Sequence, residues 1–336
     1  MKYLVTGTAG FIGFHLTKRL LEIGETVVGI DNLNDYYDVR IKHARLKELG
    51  IFEIEFEYNK IVKSQKYTNF KFAKIDITEK TTISKHFENE SFDIVCNFAA
   101  QAGIMYSTIN PEAYKQSNII GFQNIIDCCK EHKCKLIYAS SSSVYGENAK
   151  IPFSENDTIS TPKNYYAETK IFNEQLAEKY SKEFEIETIG LRLFSVYGTF
   201  GRPDMAYMIF AKSILNNQSI NIYGDGSMKR DLTFVEDVVT TIEKLIAYSA
   251  EHKLYNEIFN IGSTNPIPVL ELIEFLENLL ETKAIRNYLP QRYEEIQTTF
   301  ADTSKLENFI NYKPNSPFDK GLKKFVEWYK QFKIKE

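Results

Sequence analysis

Eight residues near the start of the chain, Thr6-Gly7-Thr8-Ala9-Gly10-Phe11-Ile12-Gly13, constrain its fold more than any other stretch. They follow a short apolar run at residues 3–6 and lead into an amphipathic stretch at 14–23 that stops at Gly24. A strand, a glycine turn and a helix N-terminus in that order make a pyrophosphate site, because unpaired N–H groups and the helix dipole attract anions. Gly7 is read as permitting the tight turn, Gly10 as letting backbone approach the phosphates, and Gly13 as letting the helix pack on the strand. The spacing is G-x-x-G-x-x-G, not the G-x-G-x-x-G of the usual dinucleotide fingerprint. Asp31 ends the next apolar run, 18 residues after Gly13. A carboxylate there accepts both hydroxyls of an adenosine ribose and repels a 2′-phosphate, which favours NAD over NADP. Asp76-Ile77, after a later run, are placed either to meet the adenine edge or to cap a helix.

Further apolar runs at 26–30, 70–75, 93–98, 135–139 and 187–193 alternate with helical patterns. That alternation predicts an α/β fold, a doubly wound parallel sheet with helices on both faces. After residue 194, turn-forming clusters separate shorter elements, which predicts a smaller C-terminal lobe. The expected division is a nucleotide-binding domain at 1–194 and a mainly substrate-binding lobe at 195–336, with part of about 233–264 returning to the first.

Lys and Arg number 41 against 45 Asp and Glu, a net charge of −4, so there is no basic surplus for a nucleic-acid partner. The four cysteines form no C-x-x-C pair and the five histidines no H-x-x-x-H, so neither a metal site nor a disulfide framework is expected. Met1-Lys2 runs straight into the first strand without the pattern of a signal peptide, and no window approaches the ~18 apolar residues of a membrane helix. A reduced, cytoplasmic protein with no membrane partner is the expectation.

Tyr166-Ala167-Glu168-Thr169-Lys170 sets a phenol and an ammonium at i and i+4, on one face of a helix. A nearby cation favours the phenolate, so the tyrosine becomes a general base. The serines at 140–143 end the preceding strand, and ligands of doubly wound domains bind at the carboxyl ends of strands. Ser, Tyr and Lys beside a nicotinamide suit oxidation of a secondary alcohol.

With Asn97-Phe98-Ala99-Ala100, the serine run leading into Val144-Tyr145-Gly146, and Tyr166-x-x-x-Lys170, the chain resembles the extended short-chain dehydrogenase/reductases. These are the Rossmann-fold enzymes of the NAD-dependent epimerase/dehydratase family that modify nucleotide sugars. Asp31-Asn32-Leu33-Asn34-Asp35-Tyr36-Tyr37, Ala100-Gln101-Ala102-Gly103, Gly201-Arg202-Pro203-Asp204-Met205-Ala206 and Met228-Lys229-Arg230-Asp231 are similar to the UDP-glucuronate 4-epimerase branch. The resemblance implies catalysis by Ser141, Tyr166 and Lys170. It implies tightly bound NAD held by Gly7, Gly10, Phe11, Ile12, Gly13, Asp31, Asn32, Asp76, Ile77, Ala99, Tyr114, Asn118 and Lys170. It implies a UDP-sugar held by Ser142, Ser143, Ser195, Arg202, Arg230, Arg292 and Glu295, with Ser195 and Arg202 on the sugar carboxylate. A homodimer paired through helices around 111–130 and 165–182 is also implied. Met105 stands where relatives usually carry Arg, and residues 292–295 replace a segment that usually contains Gly-Asp.

The leading expectation is C4 epimerisation of UDP-glucuronate to UDP-galacturonate. The alternatives are a 4-epimerase for UDP-glucose or UDP-N-acetylglucosamine, and a decarboxylase or 4,6-dehydratase of the same fold. The last two place carboxylates immediately after the catalytic hydroxyl, where this chain has Ser142 and Ser143. A non-catalytic NAD-sensing protein would not need the Ser, Tyr and Lys that are all present.

Overall fold

Ile, Val, Leu and Tyr are the commonest apolar residues in the short runs that become strands. In chain order they are β1 (Lys2–Thr6), β2 (Thr26–Asp31), β3 (Ile61–Lys63), β4 (Phe70–Lys74), β5 (Ile94–Asn97), β6 (Lys135–Ser141), β7 (Thr188–Leu193), β8 (Ser195–Tyr197), β9 (Ser219–Tyr223), β10 (Lys229–Phe234), β11 (Glu257–Ile261), β12 (Pro266–Pro268) and β13 (Ile285–Leu289). The computed structural model describes residues 1–53, 56–146, 150–159, 161–291 and 296–333. Arg292 and Glu295 lie outside the described residues. The chain forms two compact units, one of residues 1–144, 162–192 and 242–259, the other of 145–161, 193–241 and 260–336.

The first unit is built on an eight-stranded sheet in the order β11-β7-β6-β5-β1-β2-β4-β3. β2 and β5 flank β1 and run parallel to it, β4 parallel to β2, and β6 parallel to β5. The order therefore reverses at β1, and the crevice outside the carboxyl ends of β1 and β5 is the switch point where doubly wound sheets bind ligands. β3 departs from the all-parallel expectation, being antiparallel to β4. The connection at 64–69 is too short for a crossover helix, so β3 can only double back.

The first helix, Phe11–Glu22, begins three residues before the amphipathic pattern does, because Gly10 is its N-cap. It ends where expected, with Gly24 at φ +88°. Leu4, Val28, Ile30, Val95 and Leu136 pack against Phe87, Phe122, Ile125 and Ile126 to form the core under this switch point.

In the second unit, β10 pairs parallel with β8 and antiparallel with β12, and β13 pairs parallel with β9. Tyr197, Tyr207, Phe234, Phe318 and Phe325 make an aromatic core beneath them. Asp231, fully buried in β10, accepts from the N–H groups of Ser263 (2.7 Å), Thr264 (3.2 Å) and Ala301 (3.0 Å) and so pins three segments together. Among the described residues, no helix is long and apolar enough to cross a membrane.

Candidate active site

At the switch point, Thr6 Oγ1 donates to Asn97 Oδ1 at 2.6 Å and accepts from Ala99 N–H at 3.0 Å, binding the ends of β1 and β5. Gly7 follows at φ +70°, and a Cβ on it would stand 2.8 Å from Ala99 N and Phe98 C. Gly10 and Gly13 serve the same turn. A Cβ on either would strike the Gly7 carbonyl oxygen, at 2.8 and 2.2 Å respectively. The turn itself therefore demands Gly10, and Gly13 lets the helix pack on that turn. Phe11 is buried and Ile12 half-buried at the first helical positions.

Asp31, 7% exposed, accepts from Ala9 N–H at 3.2 Å and Leu33 N–H at 2.8 Å, tying the glycine turn to the end of β2. Asn32 Nδ2 donates to Asp76 Oδ2 at 2.8 Å, and Asp76 Oδ1 accepts from Thr78 N–H at 2.9 Å. Asp76 is thus both a local cap and a neighbour of the Asp31 loop. Ile77 packs so closely on Gly121 that a Cβ there would meet it at 2.6 Å. Sequence reasoning missed two buried cations here. Lys42 lies 3.7 Å from Asp31 Oδ1 and donates to Asn34 Oδ1 at 2.8 Å. Arg45 donates to Ala9 O and to Tyr37 Oη, each at 2.7 Å. Both sit three residues apart on the helix Val39–Glu48, a spacing that marks one helix face.

The turn, the helix N-terminus and the buried carboxylate at the end of β2 together fit a dinucleotide. Side chains are excluded where phosphates would lie, and an acceptor stands where a ribose diol would reach. A carboxylate has about four lone-pair sites, so two N–H donors leave capacity for that diol.

The helix Tyr165–Phe184 starts at Asn164, whose Oδ1 caps Ala167 N–H at 2.9 Å. Lys170, 3% exposed, donates to Ala139 O on β6 at 2.8 Å, and its Nζ lies 5.8 Å from the Tyr166 ring centroid. Burial draws its ammonium down to about 8, against the opposing pull of Glu174. Ser141 is two residues beyond Ala139, at the end of the same strand. Its Oγ donates to Ser143 Oγ at 3.1 Å and accepts from Ser143 N–H at 3.2 Å. Ser142 and Ser143 are half-buried in the turn that follows.

Tyr114 stacks edge-on to Tyr166 at 6.1 Å and donates to the carbonyls of Ala102 (2.9 Å) and Gly103. Asn118 sits in a π-helical segment, Lys115–Gly121, a form that often marks functional sites. Its Oδ1 accepts from Gln101 N–H at 2.8 Å, and its Nδ2 donates to Gln101 O and Thr169 Oγ1, both at 3.0 Å. Both side chains therefore hold the 101–103 segment against the helix that carries Tyr166 and Lys170.

In the second unit, Ser195 is half-buried at the start of β8, in register with Leu232. Arg202 directs Nε (3.0 Å) and Nη2 onto the two carboxylate oxygens of Asp204, a bidentate pairing within the chain. Arg230 Nη1 donates to the carbonyls of Lys229 (3.0 Å) and Ile296 (2.8 Å). Among the described residues, no group of three or more His, Cys, Asp or Glu could hold a metal ion.

A doubly wound sheet with a glycine turn at its switch point and a Tyr–Lys helix behind the serine end of a neighbouring strand is the arrangement of the Rossmann-type short-chain dehydrogenase/reductases. Residues 3–262 match the model of the NAD dependent epimerase/dehydratase family, and the chain belongs to that family. It is similar to Protein CapI of Staphylococcus aureus, 41% identical with 99% of each chain covered. It is similar also to UDP-glucuronate 4-epimerase 3 of Arabidopsis thaliana, 39% identical over 97% of this chain and 76% of that one. Among solved structures, the UDP-glucuronic acid 4-epimerase of Bacillus cereus, in complex with UDP-glucuronic acid and NAD, is 32% identical. It covers 99% of this chain and 100% of its own, with a TM-score of 0.88.

Proposed function

We propose that this protein interconverts UDP-glucuronate and UDP-galacturonate by epimerisation at C4, with NAD that stays bound. The observation that carries the reading is the Tyr166–Lys170 face seated on Ala139, beside the strand end that bears Ser141, in a chain whose relatives include named UDP-glucuronate 4-epimerases. The bound cofactor would supply a reversible acceptor for the hydride of C4. Tyr166, as phenolate, takes the proton of the sugar O4 and later returns it. Lys170 stabilises the phenolate, and Ser141 donates a hydrogen bond to O4 as it becomes a carbonyl. Gly7, Gly10 and Gly13 hold the pyrophosphate turn open, with Phe11, Ile12 and Ala99 beside it. Asp31 and Asn32 take the ribose, and Asp76 and Ile77 the adenine edge. Tyr114 and Asn118 keep the wall behind Tyr166 in place.

A 4-keto uronic acid is a β-keto acid that loses carbon dioxide readily, so an epimerase must restrain the carboxylate. Arg202 and Ser195 are assigned that task, and Asp204 fixes the plane of the guanidinium. Arg230, Arg292 and Glu295 are assigned to the UDP moiety, with Ser142 and Ser143 near the sugar. A neutral UDP-hexose is the second reading, favoured by one observation: the Arg202 fork already carries the carboxylate of Asp204. A cytoplasmic homodimer completes the proposal. The four cysteines are free and buried, as a reducing compartment permits, and light scattering tests the dimer. The deciding experiment is incubation with UDP-glucuronate and no added NAD. UDP-galacturonate as product supports the proposal, and an unchanged substrate with active turnover of UDP-glucose overturns it.

A further inference from the structure

The helix Tyr165–Phe184 presents Tyr166, Lys170 and Glu174 at successive intervals of four, so the three share one face. Glu174 is 4% exposed, and Arg192 of β7 meets it while only 3% exposed itself. Arg192 donates from Nε to Oε1 at 2.9 Å and from Nη2 to Oε2 at 2.8 Å, a bidentate fork. Ser140 Oγ adds a third donor to Oε1 at 2.6 Å. Three consecutive residues of β6 thereby divide the work. Ala139 O receives Lys170, Ser140 is tied to Glu174, and Ser141 is the proposed catalytic hydroxyl.

A buried ion pair adds little stability over packed apolar side chains of the same volume, so its presence one turn behind Lys170 calls for another reason. Burial pulls Lys170 toward its neutral form, and Glu174 is the acidic group that opposes it. The other titratable groups on this side are few. Tyr114 packs on the Tyr166 ring. Tyr138, on β6, is a fully buried phenol pushed up first by burial and then by Glu174, with Arg192 opposing and Glu178 contributing. On the neighbouring helices Glu112 and Lys115 are exposed, and Asp127 is engaged by Tyr180, Gln123 and Lys80.

We propose that Glu174, clamped by Arg192 and Ser140, is a positioning residue for proton transfer: its carboxylate balances the charge of Arg192 one turn behind Lys170, and its tie to Ser140 fixes the strand end that presents Ser141. The inference rests on Tyr166 and Lys170 being the proton-transfer pair.

The test follows ionisation of Tyr166 in the protein as purified, as the ultraviolet tyrosinate difference between each variant and the same variant carrying Tyr166→Phe. The pH–rate profile for UDP-glucuronate is the companion readout. Glu174→Gln keeps the shape and one acceptor oxygen but loses one arm of the Arg192 fork and removes the carboxylate that faces that guanidinium. Ionisation of Tyr166 and both limbs of the profile should then move to lower pH by about one unit. The double variant Glu174→Gln/Arg192→Met removes the Arg192 charge as well, and should return most of that shift. A purely structural pair would cost stability without this displacement and return. If Glu174→Gln does not fold, Arg192→Gln carries the test with the opposite sign, toward higher pH. An unmoved Tyr166 titration in the folded single variant, or a double variant as displaced as the single, overturns the proposal alone. Near-native turnover in Tyr166→Phe would overturn the proton-pair reading and this proposal with it.

Discussion

The ammonium of Lys170 stands 5.8 Å from the centre of the Tyr166 ring. Its proton meanwhile goes to the backbone of β6, so the cation is fixed rather than mobile. A fixed cation can stabilise the phenolate without competing for the substrate proton. Replacing Tyr166 by Phe should keep the fold and the bound NAD, because the ring still packs on Tyr114. Turnover should fall by about 10²–10⁴ with the proton acceptor gone. Measured kcat and NAD content of the purified variant check this, and a kcat near wild type would remove Tyr166 from the chemistry.

Lys170→Ala should leave a base that works only at more alkaline pH. Loss of a charge at this range shifts a neighbouring ionisation by about 1–3 units, so the rising limb of the pH–rate profile should move up by that amount. A profile superimposable on wild type would dissociate the lysine from the tyrosine.

Burial lowers Lys170 from 10.5 to about 8. Between those values the unfolded chain holds a proton that the folded chain has released. This group's contribution to stability therefore rises with pH through the window, and its desolvation cost is felt in full below it. The thiols of Cys96 and Cys134, pushed up by burial, act in the opposite sense at alkaline pH. The effect is isolated by difference. Lys170→Met should be stabilised relative to wild type most clearly near pH 7, with the gap closing as pH approaches 10. Melting temperatures across that range decide it, and a constant gap would mean that Lys170 titrates as an ordinary solvated lysine.

Asp31→Ala should weaken NAD and admit NADP. Lys42, 3.7 Å away, would lose its carboxylate and keep Asn34 and the Tyr37 ring, a cation then available to a 2′-phosphate. Dissociation constants for both cofactors in wild type and variant give the answer. If their ratio does not move, Asp31 serves only to cap Leu33 and hold the glycine turn.

The parts of this site legible in the sequence are those that local geometry dictates. The glycine turn is visible because two further glycines must crowd the carbonyl of Gly7. The Tyr166–Lys170 pair is visible because an i, i+4 spacing is a face once a helix is granted. What stayed hidden is pairing across elements. Glu174 and Arg192 lie 18 residues apart on a helix and a strand, and each alone reads as a solvated charge. Lys42 likewise looks like an ordinary surface lysine until the end of β2 is brought beside its helix. The antiparallel β3 follows from connection length, which apolar periodicity does not report. Asp204 stands two residues from Arg202, yet which partner a guanidinium takes depends on the turn between them.

On the proposed reading, Arg202 is the residue that separates a uronate epimerase from a general UDP-hexose epimerase. The guanidinium is planar and already binds one carboxylate through two N–H groups, Nε and Nη2 on Asp204, so its orientation is set before substrate arrives. Lysine at this position keeps the charge and loses the fork. Losing one charge-assisted contact costs on the order of 2 kcal/mol, or roughly thirtyfold in rate. Epimerisation of UDP-glucuronate by Arg202→Lys should fall by that factor, and the loosely held 4-keto acid should escape in part as the decarboxylated UDP-4-keto-pentose, with release of carbon dioxide and the cofactor left reduced. Any turnover of neutral UDP-glucose should be nearly untouched, since it has no carboxylate to restrain. Parallel kinetics on the two sugars, with carbon dioxide measured, make the comparison. Equal losses on both would mean that the Arg202–Asp204 pair supports its own loop or the UDP, and the second reading, a neutral hexose, would then take the lead.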